Sequence, residues 1–253
     1  MNDDKYINFL YSIGASKPNN INKSNISCPF CDKSKLSNIL DEDEDIILLK
    51  NKYPTLENSL QLVIIESDKC DLNMSFYSKE HIRKLFDFAI KHWFKLRESN
   101  KFKSVILYKN HGPLSGGSLK HPHMQIIGLN DIDYEDTLKD IYFRGDIIHK
   151  DKHCEINLSD KPLTCFTEFN VIIKDIEDID YLADNVQKVV HYILNNYRSN
   201  CDSFNLFFYC WHEEIICKIT PRFVTSPLLL GYSLKQVPNN NDETIDSIKK
   251  LYF

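Results

Sequence analysis

The sequence predicts an α+β chain in which a strand, helix, strand, loop, strand unit occurs twice, with flanking helices. Three observations predict it. Apolar, β-branched runs of strand length alternate with two longer segments of helical period. The order of elements over residues 45–129 recurs in weaker form over residues 168–223. A glycine-rich loop separates two of the strands in the first half and has no counterpart in the second. At 253 residues, 42% of them hydrophobic and 12% aromatic, the chain is long enough to bury a full core. Composition divides it into an arm at residues 1–26, a first half at 27–150 and a second half at 151–253.

Taken in order, residues 1–26 are polar and rich in Asn, Ser and Lys, with one short helix signalled by Tyr6, Phe9, Leu10 and Ile13. Cys28-Pro29-Phe30-Cys31 follows, a spacing that lets two thiolates reach one tetrahedral zinc. A redox reading of the same spacing wants a helix start behind a strand, and here an Asn/Ser loop precedes it, so a metal is favoured. Residues 45–56 read as a buried strand entering a proline turn, and residues 60–66 as a second strand. Residues 78–98 carry apolar side chains near helical period (Ile82, Leu85, Phe86, Ala89, Ile90, Trp93), with Ser78 and Glu80 as start signals and His81 and His92 on the helix face. Residues 102–108 and 121–129 are the strands on either side of the loop. Residues 131–150 are expected to be helical, with a polar face carrying Arg144 and His149. In the second half, 168–174 reads as a strand, 180–197 as a helix with Leu182, Val186, Val189, Val190, Ile193 and Leu194 inward, and 203–211 with 214–223 as a hairpin. Residues 239–253 read as a polar tail with a short amphipathic end.

Chemistry concentrates in residues 109–125. The chain has seven glycines, and Gly112, Gly116 and Gly117 fall in this one loop beside Ser115 and Ser118. Glycine permits positive φ and close approach of a ligand to the backbone, so the run reads as a phosphate-cradling turn. Behind it, Pro122 pushes His121 out of the helical region and β-branched residues follow, so His121, His123 and Gln125 are expected on one face of a strand, turned toward the loop's ligand.

At Asn110, Gly112, Gly116, Ser118, His121, Pro122, His123 and Gln125 the sequence resembles the galactose-1-phosphate uridylyltransferase branch of the histidine-triad (HIT) superfamily, whose loop runs Asn-x-Gly-x-x-x-Gly-x-Ser-x-x-His-Pro-His-x-Gln. The match has no gap. The resemblance implies a duplicated HIT-like fold whose two halves form one mostly antiparallel sheet with flanking helices and whose first half alone holds the nucleophile. It implies a nucleotide site lined by Asn51, Tyr53, Pro54 and Leu56, from the family's Asn-x-aromatic-Pro-x-Leu turn, together with Asn110, Gly112, Gly116, Gly117, Ser118 and Gln125. It also implies a zinc ligand shortly after the second strand, where the family carries His and this chain carries Cys70. The ligand set is then Cys28, Cys31, Cys70 and His121, and four protein ligands make a structural zinc with no open position. No second metal is expected, since His212, Glu213 and Glu214 lack a His-x-His. Family members acting on galactose carry Gly-Tyr-Glu near residue 231; here Gly231 and Tyr232 are followed by Ser233, which puts a galactose acceptor in doubt. Arg222 fits either a bidentate phosphate contact or a structural anchor at a strand end.

The chemistry implied is transfer of a nucleoside monophosphate from a nucleotide donor to a phosphorylated small-molecule acceptor through a covalent nucleotidyl-histidine on His123, with Gln125 and Ser118 stabilising the phosphoryl oxygens. Alternatives are a dinucleoside-polyphosphate phosphorylase or hydrolase, and a catalytically silent nucleotide-binding module. Gln125, standing where hydrolases of the superfamily carry a third histidine, leans toward transfer. A net charge of −5 argues against nucleic-acid partners. No apolar run approaches the ~20 residues that span a bilayer, so no membrane partner is expected. The polar start and eight cysteines without a secretory signal predict a cytoplasmic protein with reduced thiols. The resemblance implies a homodimer.

Overall fold

The computed structural model describes residues 6–21, 27–197 and 201–253. The expectations for the polar start at 1–5 and the Asn/Ser run at 22–26 fall outside those residues. The fold is α+β and antiparallel, as predicted. The chain clusters into two compact units, one of Met1–Leu72, Phe88–Lys109 and Gly117–Thr137, the other of Asn73–Asp87, Asn110–Gly116 and Leu138–Phe253.

In the first unit a six-residue helix α1 (Tyr11–Ser16) precedes β1 (Ile39–Asp43), β2 (Ile46–Lys50) and β3 (Ser59–Ile65). A 20-residue helix α2 (Lys79–Glu98), which belongs to this unit from Phe88 onward, then leads to β4 (Ser104–His111), in this unit up to Lys109, and β5 (His123–Leu129). The strands lie in the order β1-β2-β3-β5-β4, every pair antiparallel. α2 starts where the sequence places it, because the Ser78 hydroxyl accepts the His81 N–H at 3.1 Å. The residues its period marks, Ile82, Leu85, Phe86, Ala89, Ile90 and Trp93, are all buried. Trp93 also satisfies its indole N–H by donating to the Val105 carbonyl at 2.9 Å, which fixes the ring against β4.

The second unit holds β6 (Gly145–Lys150), β7 (Cys154–Ser159), β8 (Phe169–Ile173), helix α3 (Ile179–Asn195), β9 (Phe204–Trp211) and β10 (Glu214–Pro221), ordered β9-β10-β8-β7-β6. Written from the first strand of each unit, β1-β2-β3-β5-β4 and β6-β7-β8-β10-β9, the two orders are the same. Among the described residues the repeat therefore covers five strands and a helix in each half, more than the sequence pattern revealed. The hairpin from β9 to β10 turns at His212 and Glu213, both at positive φ (48° and 65°), the backbone a two-residue hairpin demands.

The helix expected over residues 131–150 is absent. Short 3-10 turns at Glu135–Thr137 and Asp140–Tyr142 lead into β6. Gly145 opens that strand where a Cβ would stand 1.8 Å from the Leu158 carbonyl oxygen, so glycine there permits the pairing with β7. The Asp140 carboxylate accepts from the Trp211 and His212 rings at 2.8 and 2.9 Å instead of capping a helix. β7 escapes the hydrophobic pattern because its Asn157 and Ser159 are buried polar residues. Asn170 donates to both, at 2.8 and 2.9 Å, and Lys218, paired with Glu168 at 2.9 Å, donates to Ser159 at 3.2 Å. Asn170 Oδ1 alone among the amide atoms of this pair of asparagines has no hydrogen-bond partner among the described residues; the paired groups let the network sit in the core, yet it reads from sequence as loop. The C-terminal stretch is likewise more ordered than expected. It forms helices α4 (Pro227–Tyr232) and α5 (Asn241–Tyr252), the latter burying Thr244, Ile245 and Ile248.

Candidate active site and metal centre

β5 begins at His123, two residues later than the sequence suggests. His121 and His123 were expected to face one ligand together. The His121 ring is fully buried, with Nδ1 3.5 Å from Cys28 Sγ and 3.7 Å from Cys31 Sγ. Its Nε2 lies 2.8 Å from the Ser67 carbonyl oxygen. A carbonyl only accepts, so Nε2 carries the proton and the Nδ1 lone pair points at the thiols.

The ligand atoms of Cys28, Cys31, Cys70 and His121 all lie within 4.8 Å of one another. Tetrahedral zinc, with bonds of about 2.3 Å to sulfur and 2.0–2.1 Å to nitrogen, separates its ligands by about 3.5–3.8 Å, which the His121 contacts match. The residues present therefore fit such an ion. Burial raises the Cys28 thiol above its usual range, and burial with crowding by Cys31 and Cys28 pushes Cys70 up to about 12.

His123 is 8% exposed, and its Nδ1 lies 2.8 Å from the His121 carbonyl oxygen. By the same reasoning Nδ1 is the donor, and the Nε2 lone pair is left unprotonated. Burial, the largest influence, with nearby Lys109 adding to it, holds the imidazole down to about 4 and hence neutral at neutral pH. The Phe30 ring, from the middle of the Cys-x-x-Cys knuckle, makes edge-type contacts with both histidine rings, its centroid 5.7 Å from each. Phe30 and Leu36 pack on Ile47, Leu49, Val63 and Ile65. In the register, Ile65 opposes His123 and Val63 opposes Gln125, so the knuckle covers part of the sheet face that carries these two side chains.

Other contacts in this unit went unsignalled in the sequence. Asn20, in the arm, donates its N–H to the Ser118 carbonyl at 2.9 Å and accepts the Lys120 N–H on its side chain at 2.8 Å, pinning the far side of the loop. Glu66 donates its N–H to the Pro122 carbonyl at 3.1 Å and forms a fully buried ion pair with Lys109. Removing one member of such a pair leaves a charge in low dielectric. Lys109→Met is expected to destabilise the protein by about 3–5 kcal/mol in urea unfolding; a loss below about 1 kcal/mol would show that the pair is not what anchors this end of β4.

Asn51 closes a turn by accepting the Tyr53 N–H at 2.8 Å, and its own N–H donates to the Gln61 carbonyl at 2.8 Å. Since Ile65 opposes His123, Asn51 and His123 lie toward opposite ends of β3. Tyr53 and Leu56 are half-buried there and Pro54 is exposed. A ligand touching both Asn51 and His123 would have to run along the sheet.

The loop segment Asn110–Gly116 clusters with the second unit. Gly112 (φ 82°) has no room for a side chain, since a Cβ would stand 2.2 Å from the Asp202 carbonyl oxygen. Gly116 (φ 85°) faces open space, so its glycine serves backbone conformation and access. Leu114 N–H donates to Ser203 Oγ at 3.1 Å, and the Asn205 amide donates to Asn110 Oδ1 at 2.7 Å and to the Ser115 carbonyl at 3.0 Å. Arg222 donates its N–H to the Ser203 carbonyl at 2.7 Å with its side chain half-buried. Tyr232 is exposed at the end of α4, and Ser233 adopts the left-handed conformation (φ 54°) that terminates it. His212 contacts Asp140, and Glu214 accepts from Arg144 at 3.0 Å.

The N-terminal domain of a family described as a domain of unknown function, DUF4931, matches residues 9–132, and its C-terminal domain matches residues 135–253. A crystal structure of a DUF4931 family protein from Bacillus cereus ATCC 10987 is 48% identical, covering 85% of this chain and 99% of that one with a TM-score of 0.79. An ADP-glucose phosphorylase from Arabidopsis thaliana with bound ADP-glucose is 16% identical, covering 95% of this chain and 94% of its own, with a TM-score of 0.71. A uridylyltransferase structure is also 16% identical at a TM-score of 0.71, covering 89% and 91%. The fold is thus that of the galactose-1-phosphate uridylyltransferase-like branch. One curated relative, named a di-/tripeptide transporter, from Lactobacillus helveticus, is 28% identical over 153 residues. Those residues are 59% of this chain and 28% of that protein's length. Among the described residues no helix is long and apolar enough to cross a membrane.

Proposed function

The chain belongs to the DUF4931 family, and from that premise and the geometry above we propose that it is a nucleotidyltransferase acting through a covalent nucleotidyl-histidine on His123. The observation that carries this reading is the orientation of His123: Nδ1–H is tied to the His121 carbonyl, so the Nε2 lone pair is the nucleophile. Nε2 attacks the α-phosphorus of a nucleotide donor. The N–P bond forms as the bond to the distal phosphate oxygen breaks, and that phosphate leaves with the electron pair. An acceptor phosphate oxygen then displaces the imidazole. Gln125, two residues along on the same face, and Ser118 with the loop N–H groups take the charge that grows on the phosphoryl oxygens. Asn51, Tyr53, Pro54 and Leu56 hold the nucleoside, with Asn110, Gly112, Gly116 and Gly117 shaping the phosphate loop. The first half, residues 27–150, carries the chemistry, and the chain acts as a homodimer.

Cys28, Cys31, Cys70 and His121 hold a structural zinc in this reading. Bound there, the ion cross-links the knuckle to the His121-Pro122-His123 segment. It takes no part in the transfer.

One distant structural relative is named for ADP-glucose and the other for uridylyl transfer, so an adenine and a uracil donor are both tested. Intact-mass spectrometry after incubation with UDP-glucose or ADP-glucose is expected to show added mass of one UMP or one AMP. Absence of an adduct and of turnover with either donor would overturn the proposal. The exposed Ser233, in place of a carboxylate, supports an acceptor other than galactose 1-phosphate.

A further inference from the structure

The second half lacks the His-Pro-His, yet two of its buried side chains grip the loop that carries the nucleotide motif. Asn205, on β9, is 2% exposed and Ser203, just before it, is fully buried. The Asn205 side-chain nitrogen reaches Asn110 Oδ1 at 2.7 Å and the Ser115 carbonyl at 3.0 Å. The second contact fixes the chemistry of the first. A backbone carbonyl only accepts, so the Asn205 NH2 group must face this way, and it has one hydrogen for each acceptor. Asn110 must then receive on its oxygen. Its own NH2 group is turned away from Asn205.

The surrounding bonds hold the loop from several sides. Leu114 N–H donates to Ser203 Oγ, which in turn donates to Asp202 Oδ1 at 2.7 Å. Ser115 Oγ donates to the Gly112 carbonyl at 2.7 Å, and Gly112 presses on the Asp202 carbonyl too closely for any Cβ. Exchanging the ends of the Asn110 amide would set its donors against the Asn205 NH2. The arrangement is therefore locked in one sense.

We infer that Asn205 is a positioning residue: its buried amide, held between Asn110 and Ser115, sets the polarity of Asn110 so that this side chain offers hydrogen-bond donors to an oxygen-rich ligand. The inference rests on the nucleotidyl-transfer reading above and extends it to a residue 95 positions away in sequence. Phosphoryl and ribose oxygens accept hydrogen bonds, which is the class of ligand atom a fixed NH2 group selects. Sub-ångström displacement of a binding group is enough to slow a transfer that depends on alignment.

The test is a double-mutant cycle on the rate of adduct formation, using whichever of UDP-glucose and ADP-glucose labels the wild type. Asn205→Ala is expected to slow labelling about 10- to 100-fold. In an Asn110→Ala background the same change should cost less than about threefold, because the group it orients is gone. Asn205→Asp, of nearly the same size, should be at least as slow as Asn205→Ala, since it places a carboxylate against the Ser115 carbonyl. A merely structural role predicts a lowered unfolding midpoint with fully additive rate effects, and that result would overturn the inference. Hydrogen exchange on the wild type keeps the claim testable should Asn205→Ala not fold. The Leu114 amide is expected to be protected with those of β9, and free exchange there would refute the clamp. Wild type with neither adduct nor turnover from either donor overturns the underlying reading, and the clamp with it. A labelled wild type matched by Asn205→Ala overturns the clamp alone.

Discussion

His123→Asn is expected to abolish nucleotidyl-adduct formation and lower turnover by at least about 10⁴-fold while leaving the unfolding midpoint within a few degrees of wild type. The size follows from the chemistry. Asparagine has a side-chain N–H to offer the His121 carbonyl, so the contact now made at 2.8 Å can be kept. It has no lone pair of comparable basicity to place where Nε2 stands, so the covalent route closes. The stability expectation follows from burial: the ring is 8% exposed and edge-on to Phe30, and a smaller polar group there forfeits part of that contact without stranding a charge. Stopped-flow turnover and intact mass, read together with thermal unfolding, check both halves of the expectation. Turnover retained within tenfold would remove His123 from the role of nucleophile, whatever the fate of the adduct.

How much of this was legible in the sequence depended on the range of the interaction. The eight loop positions and the Cys-x-x-Cys spacing are local patterns, and Cys28, Cys31, Cys70 and His121 do converge within 4.8 Å. Helices α2 and α3 were legible because their apolar residues repeat at helical period and their buried faces are continuous. β6 and β7 were not, since Gly145, Asn157 and Ser159 break the hydrophobic alternation for reasons that exist only once Leu158, Asn170 and Lys218 are in place. β1 is exposed along its whole length and carried no signal at all. β5 starts at His123, two residues too late to include His121, so the rule that residues two apart share a face reaches His123 and Gln125 but not His121. Asn20, Lys109 and Asn205 act through partners dozens of residues distant, and no local pattern marks them.

Loss of the metal should act on the nucleophile through a single backbone carbonyl. The His121 ring is held between the Ser67 carbonyl and the Cys28 and Cys31 sulfurs, while its own carbonyl anchors His123 Nδ1. Wild type is expected to contain one zinc per chain, and Cys28→Ser or Cys70→Ser to contain less than about a tenth of that, because three ligands lose most of the chelate affinity. Structural zinc contributes folding free energy outright, with gross binding on the order of 10 kcal/mol. Even a net loss of about 3 kcal/mol would lower the unfolding midpoint by roughly 6–12 °C in a chain of this size. The loss should also be local in its first effects. Beside the packing of Phe30 and Leu36 on the sheet, the knuckle has one short 3-10 turn, Lys33–Lys35 capped by Asp32, so hydrogen exchange should rise first at residues 27–36 and 118–123. The amides of α3 and of β8–β10 should keep their protection, since buried apolar side chains order those elements without any contribution from the four ligands. Adduct formation should therefore fail at metal loss that leaves the second half folded. A full zinc load in Cys28→Ser would refute the ligand set. Metal-free protein that still labels at the wild-type rate would place the anchoring of His123 in Pro122, Glu66 and Phe30 alone, and reduce the knuckle to a cover for Ile47, Val63 and Ile65.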